Sequence, residues 1–545
     1  MRETDGRLRT GQWPWLAAGL MSAIFGVLVW LQRVPALTTR HDDLVYLLMS
    51  REVARFSYAQ TWLVGAPIHN HYPPGFPGWL SSLSLIFGEQ MSVFVFANIL
   101  LMVGALLLLF AAVRRLWSLP TALLMLAIVV TNPLVQRTTA SVVSEALYLF
   151  CVSLTVWAVT VKPVRTRWLV LVGAGAVAAT LTRSIGLALL GALAVTWLQE
   201  RRWRALGALI LPAVLASAAW LGWALLAPGQ ESGTSYIAEG LLPVISDQSL
   251  GSILRHAVAQ AWEYWSRLVP AALSLPLMHG TVIDNLAWLG LVTGLTVLGL
   301  GRLWSTWRIV FWYLMAYATI LVLWQWGNER MLMPIVPFLV VTFLACLDYA
   351  RGSRLRVPLT VAVAVLVTGM LAGGIHETTQ QVRSRLACDR SRLLESPACL
   401  NDDERGMLTG ALWIAANLPP DDAVLSFKEG AAAYYGEHRV VRASRRAYEA
   451  WIDEPDDMLE QIRATGARYI LLDHIHPFSR GLGKALTSFC DRLGLVRTFS
   501  AATLLFDLEP AASTVSPPAD SAPQADACGA LEVYQASPLQ ERWIW

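Results

Sequence analysis

Two adjacent carboxylates, Asp42 and Asp43, follow the first long apolar segment of the chain, residues 13–31. If a helix begins there, Asp42 and Tyr46 share one face and Asp43 points away from it. A carboxylate beside a membrane surface is only partly removed from water, so it can stay ionised near neutral pH and act as a general base. The alternative is structural, because either carboxylate could cap a helix over residues 44–56 and favour its dipole.

A proline-rich stretch, YPPGFP at residues 72–77, is flanked by His69 and His71. Because proline fixes φ and lacks an N–H donor, the stretch is predicted to be a rigid, non-helical corner that leads into an apolar helix. Tyr46, Tyr72 and the two histidines are candidates to line a substrate pocket. The alternative is a purely structural corner with the histidines as polar surface groups. A third hypothesis makes the histidines metal ligands.

Four ionisable residues fall near the predicted ends of apolar segments: Glu145, Arg183, Arg330 and Arg137. Charged groups within or beside a membrane are costly to keep there, so they are candidates for function. Each arginine could hold a phosphate, through two parallel hydrogen bonds or as a point charge. The alternatives are a structural pair between Glu145 and an arginine, or arginines that extend toward lipid headgroups.

Most of the chain is apolar enough to lie in a membrane. It is 55% hydrophobic and 15% charged, whereas a soluble domain has about 25% charged residues. The pattern predicts a mostly α-helical, polytopic membrane protein with about eleven transmembrane helices. Their predicted bounds are residues 13–34, 90–113, 119–132, 142–161, 168–182, 185–198, 203–227, 283–301, 308–326, 331–349 and 357–374. The sequence has no nucleotide-binding glycine pattern, and no nucleic-acid partner is expected.

Arginine and lysine residues are concentrated in alternate connections between the apolar segments, starting with the N-terminal arginines. Such loops lie in the cytoplasm, so the N-terminus is predicted to be cytoplasmic. The loops at residues 36–89 and 228–282, and everything after residue 375, then face outward. Within the second loop, apolar residues recur at helical spacing over residues 250–268, which predicts a helix lying in the membrane interface.

After the transmembrane domain, predicted over residues 1–375, the chain becomes more charged, and short helix and strand patterns alternate. This predicts a small extracytoplasmic α/β domain over residues 376–545. The predicted helices are residues 407–418 and 455–465, and the predicted strands are residues 423–427, 439–442 and 468–472. A stretch rich in Ser, Pro and Ala near residues 511–527 is predicted to be a flexible insertion.

Four of the six cysteines fall in the predicted α/β domain. An even number of cysteines in an oxidising compartment suggests disulfides. Four cysteines allow three pairings, and proximity along the chain favours Cys388 with Cys399 and Cys490 with Cys528. The other two cysteines lie inside apolar segments, where they are expected to be inert packing residues.

The stretch Asp42-Asp43-Leu44-Val45-Tyr46 resembles the Asp-acidic-x-x-Tyr signature in the first outer loop of GT-C glycosyltransferases. HYPPGFPGW at residues 71–79, SEALYLF at 144–150 and RMLMPIVPF at 330–338 resemble further stretches of that superfamily. The branch they resemble comprises bacterial relatives of protein O-mannosyltransferases and lipid A aminoarabinose transferases. A multi-span core followed by a small outer α/β domain is also typical of it, so the resemblance covers nearly the whole chain.

The resemblance implies specific roles for several residues. Asp42 matches the candidate general base, and Asp43 matches the second acidic position, where the aminoarabinose branch usually has Glu. Glu145 falls where relatives often have another acidic residue, commonly Asp. Arg330 matches the basic residue that meets the carrier phosphate, and Arg183 is a candidate second contact.

The sequence thus predicts a multi-pass glycosyltransferase of the bacterial inner membrane. It would move a hexosyl or pentosyl group from a polyprenyl-phosphate-linked donor to a cell-envelope acceptor, which could be a lipid, a glycan or a protein. A single displacement would invert the anomeric centre. This chemistry requires no cofactor, although some GT-C members use a divalent metal, which stays open here. The alternatives are a non-catalytic transporter or flippase of lipid-linked sugars, and an envelope-assembly scaffold.

Overall fold

The computed structural model of the chain is mostly helical, with one small sheet near its C-terminal end. It describes residues 12–33, 41–161, 166–226, 240–245, 249–275, 282–350, 354–396, 398–442, 448, 451–452, 457–475, 477–510 and 526–537. The N-terminal arginines and most of the predicted insertion near residues 511–527 lie outside the described residues.

The helical part of the chain precedes the sheet. Its helices are α1 (Trp13–Gln32), α2 (His41–Ala54), α3 (Gly75–Phe87), α4 (Met91–Leu116), α5 (Leu119–Val130), α6 (Pro133–Thr139), α7 (Glu145–Thr160), α8 (Thr166–Thr182), α9 (Leu187–Gln199), α10 (Trp203–Leu226), α11 (Leu242–Ile245), α12 (Leu250–Glu263), α13 (Val269–Ala272), α14 (Val282–Thr306), α15 (Arg308–Leu323), α16 (Val336–Ala350) and α17 (Arg356–Leu386). A 3₁₀ segment, Glu329–Ile335, leads into α16, and a π-helical turn, Tyr264–Leu268, continues α12. Every apolar segment predicted from the sequence coincides with one of these helices.

Five described helices are long and apolar enough to cross a membrane. They are α1, α4, residues Trp203–Trp223 of α10, the unit Glu329–Asp348 that includes α16, and α17. The pair α5 and α6, bent by 62° at a short break, would make a sixth span. Further apolar helices of 10–17 residues, including α7, α9 and α15, are also present. The structure thus has a membrane fold, and the predicted total of about eleven crossings stays a prediction.

The prediction that residues 72–77 are wholly non-helical is wrong, because α3 already begins at Gly75. Pro77 lies in the first turn of α3, where backbone N–H groups have no partner within the helix, so proline removes no hydrogen bond there. The start of α3 packs closely on the end of α8. A Cβ atom at Gly75 would lie 2.6 Å from the carbonyl oxygen of Leu181. Only glycine fits at this contact.

The bend between α5 and α6 is explained by the Asn132-Pro133 pair. Pro133 begins α6 in a position that needs no N–H donor, and the Asn132 side chain accepts a hydrogen bond from the backbone N–H of Val135 at 3.0 Å. The same side chain donates to the carbonyl oxygen of Ala272 at 2.7 Å, which ties the bend to α13.

The C-terminal α/β region is defined here as residues 402–537. Its elements are α18 (Asp402–Asn417), β1 (Ala423–Ser426), α19 (Glu429–Gly436), β2 (Val440–Arg442), α20 (Met458–Ala464), β3 (Ala467–Asp473), α21 (Pro477–Leu486), β4 (Gly494–Ser500), β5 (Thr503–Asp507) and α22 (Ala527–Ala536). The strand order is β2-β1-β3-β5-β4, with β1 parallel to β2 and β3, and β5 antiparallel to β3 and β4. The three predicted strands are present. The hairpin of β4 and β5 was not predicted.

Both faces of the sheet are buried, which explains the continuous apolar run of β3. Tyr469 and Leu471 belong to the large apolar core shared with the membrane helices, whereas Ile470 and Leu472 belong to a second core on the opposite face. The first long loop also extends the sheet, because the backbone N–H of Val64 donates to the carbonyl oxygen of Val440 at 3.0 Å. The α/β region is therefore packed directly on the helical part.

Both disulfides favoured by proximity are present. The Cα atoms of Cys388 and Cys399 are 4.7 Å apart, and those of Cys490 and Cys528 are 4.9 Å apart. Cys151 and Cys346 are free and buried, as expected for packing residues.

Candidate functional site

Asp42 lies in the first turn of α2, as predicted, and its carboxylate has two strong partners. Arg330 Nη1 donates to Asp42 Oδ2 at 2.6 Å, and the Tyr72 hydroxyl donates to Asp42 Oδ1 at 2.7 Å. About a quarter of the side chain is exposed (27%), so Asp42 is the most accessible carboxylate of the cluster described below. The 3₁₀ segment before α16 and the corner before α3 thus meet at the start of α2.

Glu145 is the first residue of α7 and is fully buried. Arg330 Nε donates to Glu145 Oε1 at 2.5 Å and Arg330 Nη2 donates to Glu145 Oε2 at 3.1 Å, so the guanidinium holds this carboxylate with two bonds. Arg183 Nη1 donates to the same Oε1. Burying a charge that has no partner costs several kcal/mol of stability. The two arginines pair with the carboxylate of Glu145 and offset that cost.

Two hydroxyl groups extend this hydrogen-bond network from Arg183 to α2. Arg183 Nη1 also donates to Ser144 Oγ at 3.2 Å, and Ser144 Oγ shares a hydrogen bond of 3.1 Å with the hydroxyl of Tyr46. Burial raises the pKa of the Tyr46 hydroxyl, with a further rise from the negative charge of Asp42, so this hydroxyl keeps its proton. Asp42, Glu145, Arg183 and Arg330 are hereafter called the acidic–arginine cluster. Its formal charges cancel.

Arg137 is not joined to the acidic–arginine cluster. Its Nη2 donates to Glu329 Oε1 at 2.9 Å, one residue before Arg330, and Glu329 is buried. The short helix α6 therefore supports the segment that carries Arg330. A phosphate-binding role for Arg137 stays a prediction.

His69 is buried, so the alternative in which it is a polar surface group is wrong. Its Nε2 accepts a hydrogen bond from the backbone N–H of Tyr72 at 3.0 Å. Burial, together with the charges of His71 and Arg442, holds the pKa of His69 well below its usual value. His71 packs edge-on against the Tyr72 ring, with ring centroids 4.5 Å apart. The loop thereby fixes Tyr72, whose ring also lies 4.6 Å from that of Tyr46.

Asp43 is turned away from Asp42 and is almost fully buried (1% exposed). Its Oδ1 accepts a hydrogen bond from the backbone N–H of Leu44 at 3.0 Å. Its surroundings include Lys428 of the α/β region, a residue that the sequence did not single out. Glu329 and Ser144 were missed too. Ser144 and Glu329 each adjoin a predicted site residue, whereas no signal in the sequence links Lys428 to residue 43.

Three of the predicted site residues that could bind a metal already make other hydrogen bonds. Asp42 and Glu145 accept from arginines, and His69 accepts from the backbone. Within the part of the chain that the structure describes, no group of three or more His, Cys, Asp or Glu side chains is arranged to hold a metal ion. The observed donor set therefore does not fit a metal, and no chemical step is derived through one.

The chain folds into a helical membrane core with an α/β region packed on one end, and known structures share this overall arrangement. ArnT from Cupriavidus metallidurans, bound to undecaprenyl phosphate, aligns with a TM-score of 0.52 at 14% identity and covers 93% of this chain and 99% of its own. The oligosaccharyltransferase of Archaeoglobus fulgidus, tethered to an acceptor peptide, aligns with a TM-score of 0.52 at 12% identity. This alignment covers 89% of the present chain and 72% of the oligosaccharyltransferase chain.

These likenesses show that the chain has the fold of the GT-C glycosyltransferases, as the sequence resemblance predicted. No family model matches the sequence, and no curated protein matches it either. The likeness shown is one of fold, at 12–14% sequence identity.

Proposed function

We propose that the protein is an integral membrane glycosyltransferase that moves a sugar from a polyprenyl-phosphate-linked donor to a cell-envelope acceptor on the outer face of the membrane. The observation that carries the proposal is the sharing of one guanidinium, that of Arg330, between Asp42 and Glu145. This shared guanidinium brings Asp42, a partly exposed carboxylate that could take a proton, next to arginines that could hold a phosphate. The ArnT structure that shares this fold holds undecaprenyl phosphate, which supports the class of donor.

Asp42 is the proposed general base. The acceptor hydroxyl or amine loses its proton to Asp42 as its oxygen or nitrogen attacks the anomeric carbon. The bond from that carbon to the carrier phosphate breaks, and the electron pair leaves with the polyprenyl phosphate. One displacement of this kind inverts the anomeric centre. The Tyr72 hydroxyl, which donates to Asp42 Oδ1, orients the carboxylate for the transfer.

Arg330 and Arg183 are the proposed phosphate ligands. Charge grows on the phosphate as it leaves, and preorganised cations beside it stabilise the transition state. Glu145 keeps the two guanidiniums together and in a fixed orientation, because it accepts hydrogen bonds from both. The Nη1 of Arg330 now bonds Asp42, so an arriving phosphate would compete for that donor and release the base.

The location of the cluster favours an enzyme over a transporter. Asp42 lies in the first turn of α2 and Glu145 begins α7, whereas Arg183 directly follows α8 and Arg330 precedes α16. Transporters usually bind their substrate near the middle of the membrane, between broken helices. Charges at one end of a bundle suit a reaction at the surface, where the phosphate of a lipid-linked sugar lies.

The test is transfer from defined donors by the purified full-length protein. Radiolabelled sugars on polyprenyl phosphate are offered as a panel, and consumption of donor is measured together with D42N. The matched control is D402N, because Asp402 is an exposed carboxylate in the first turn of α18. Donor consumption by the wild type and by D402N, but not by D42N, supports the proposal. Movement of lipid-linked sugar between leaflets without donor consumption would support the transporter instead.

A further inference from the structure

Lys428 is a buried lysine of the α/β region that the proposed mechanism does not use. It lies between β1 and α19 and is 3% exposed. Its backbone N–H donates to Ser426 Oγ at 3.1 Å, and its carbonyl oxygen accepts from the N–H groups of Ala431 and Ala432 at 2.9 and 3.1 Å. The backbone at Lys428 is thus fixed from both sides, and its side chain begins from a rigid point.

The start of α19 is pressed against the start of α2. A Cβ atom at Gly430 would lie 3.1 Å from Leu44 Cβ and 3.3 Å from Val45 Cγ2, so the two helix starts are in close contact here. A second contact, between Tyr434 and Glu89, holds α19 to the helical part, since the Tyr434 hydroxyl donates to Glu89 Oε1 at 2.8 Å. These contacts fix Lys428 relative to Asp42 and Asp43.

Lys428 faces an unusually acidic environment. Burial lowers the pKa of Lys428 below its usual value, and the negative charges of Asp473, Asp42, Glu429 and Asp43 partly offset this because they favour the charged form. Apart from Asp42, these carboxylates are buried. Glu429 also pairs with Arg442 at 3.6 Å. Lys428 is therefore the cation through which the α/β region meets the two carboxylates of α2.

We propose that Lys428 is a positioning residue that keeps Asp42 ionised while the donor phosphate occupies Arg330. The inference rests on the proposed function. Without donor, the groups facing Asp42 are Arg330 and Tyr72 by direct bonds, Tyr46 and Glu145 of the same network, and Lys428 with its neighbour Asp43. When a phosphate takes Arg330, Asp42 loses its strongest cation. Lys428 then supplies positive charge from the side of the α/β region.

The sign of the effect follows from simple electrostatics. An opposite charge nearby favours the ionised carboxylate, so its removal moves ionisation of the base to higher pH. In K428M, the acid limb of the pH profile of kcat/KM should therefore move upward by about one pH unit. Activity well above that limb should change little, because the base is ionised there in both proteins.

The experiment measures the pH profile of sugar transfer for the purified full-length wild type, K428M and K428R. The pH profile of K428Q is measured as well, so that a second neutral variant is available if K428M does not fold. K428R keeps the charge and should keep the wild-type profile. The matched control is K484M, which removes an exposed lysine of α21 and should leave the profile unchanged.

The two proposals fail in different ways. If the wild type consumes no donor from the panel, the proposed function fails and this inference fails with it. If the wild type transfers sugar but the neutral variants keep its acid limb, or lose activity equally at every pH, the proposed function stands and Lys428 has only a structural role. An upward shift in the neutral variants alone supports the inference.

Discussion

Arg330 Nη1 lies 2.6 Å from Asp42 Oδ2, although the two residues are separated by 288 positions in the chain. The contact joins the start of α2 to the segment before α16. The Nε and Nη2 atoms of the same guanidinium donate hydrogen bonds to the buried Glu145. One arginine, itself a proposed phosphate ligand, thus joins the proposed base to the buried carboxylate.

Replacement of Arg330 should distinguish the effect of its positive charge from the effect of its hydrogen-bond geometry on sugar transfer. R330K keeps a cation but cannot bond Asp42 and both oxygens of Glu145 at once, because lysine lacks the planar fork of arginine. We expect kcat/KM for sugar transfer to fall by about 10²-fold in R330K and by about 10³-fold in R330M. The exposed Arg392 offers a control, R392K, which should transfer sugar as the wild type does. Full activity of R330K would contradict the role of the fork.

Loss of the Tyr72 hydroxyl should change the pH dependence of transfer. The hydroxyl donates to Asp42 Oδ1, and such a bond stabilises the ionised carboxylate. In Y72F the acid limb of kcat/KM should move upward by about one pH unit. Tyr58 is the matched control, because its hydroxyl donates to the carbonyl oxygen of Tyr72 and not to the carboxylate. Y58F should leave the limb in place, and a limb unmoved in Y72F would refute the idea.

His69 should make the fold sensitive to acid. Its pKa in the folded protein is well below the usual value, mainly because of burial. The unfolded chain therefore binds more protons below about pH 6.5, so this residue's contribution to stability is present above that pH and is lost as the pH falls. H69Q keeps an acceptor for the N–H of Tyr72 and should show a smaller drop in Tm between pH 7.5 and 5.5 than the wild type.

The control for this measurement is H376Q, because His376 is exposed on α17. Its drop in Tm should equal that of the wild type. An equal drop in H69Q and the wild type would show that the buried imidazole is not responsible.

Gly75 should be far less tolerant than its neighbour in the same helix. A Cβ at Gly75 would meet the carbonyl oxygen of Leu181 at 2.6 Å, whereas a Cβ at Gly78 would meet no atom within 4 Å. We expect G75A to lower the free energy of unfolding by about 1–3 kcal/mol through forced separation of α3 and α8. G78A should be neutral or slightly stabilising, because alanine favours a helix. Thermal unfolding of both variants in the same detergent checks the difference, and equal stability would contradict the close contact.

The sequence by itself determined the local structure. Long apolar runs can satisfy their backbone within a membrane only as helices, so every predicted segment is helical. Short alternating or apolar runs gave β1, β2 and β3. The corner at residues 72–77 was misjudged at Gly75, because a proline is harmless in the first turn of a helix. The hairpin of β4 and β5 was missed because β4, GLVRTFS, is only partly buried and has no continuous apolar run to indicate a strand.

The tertiary structure alone decided which charges meet. Glu145, Arg183, Arg330 and Asp42 could each be suspected from their positions near segment ends, but their pairing depends on how helices pack, which no local pattern records. Arg137 has the same local features as Arg183, yet packing gives it Glu329 as a partner. Lys428 looks like an ordinary surface lysine in the sequence. Only the contact of α19 with α2 buries it beside the two aspartates, because burial and electrostatic partnership are properties of three-dimensional proximity.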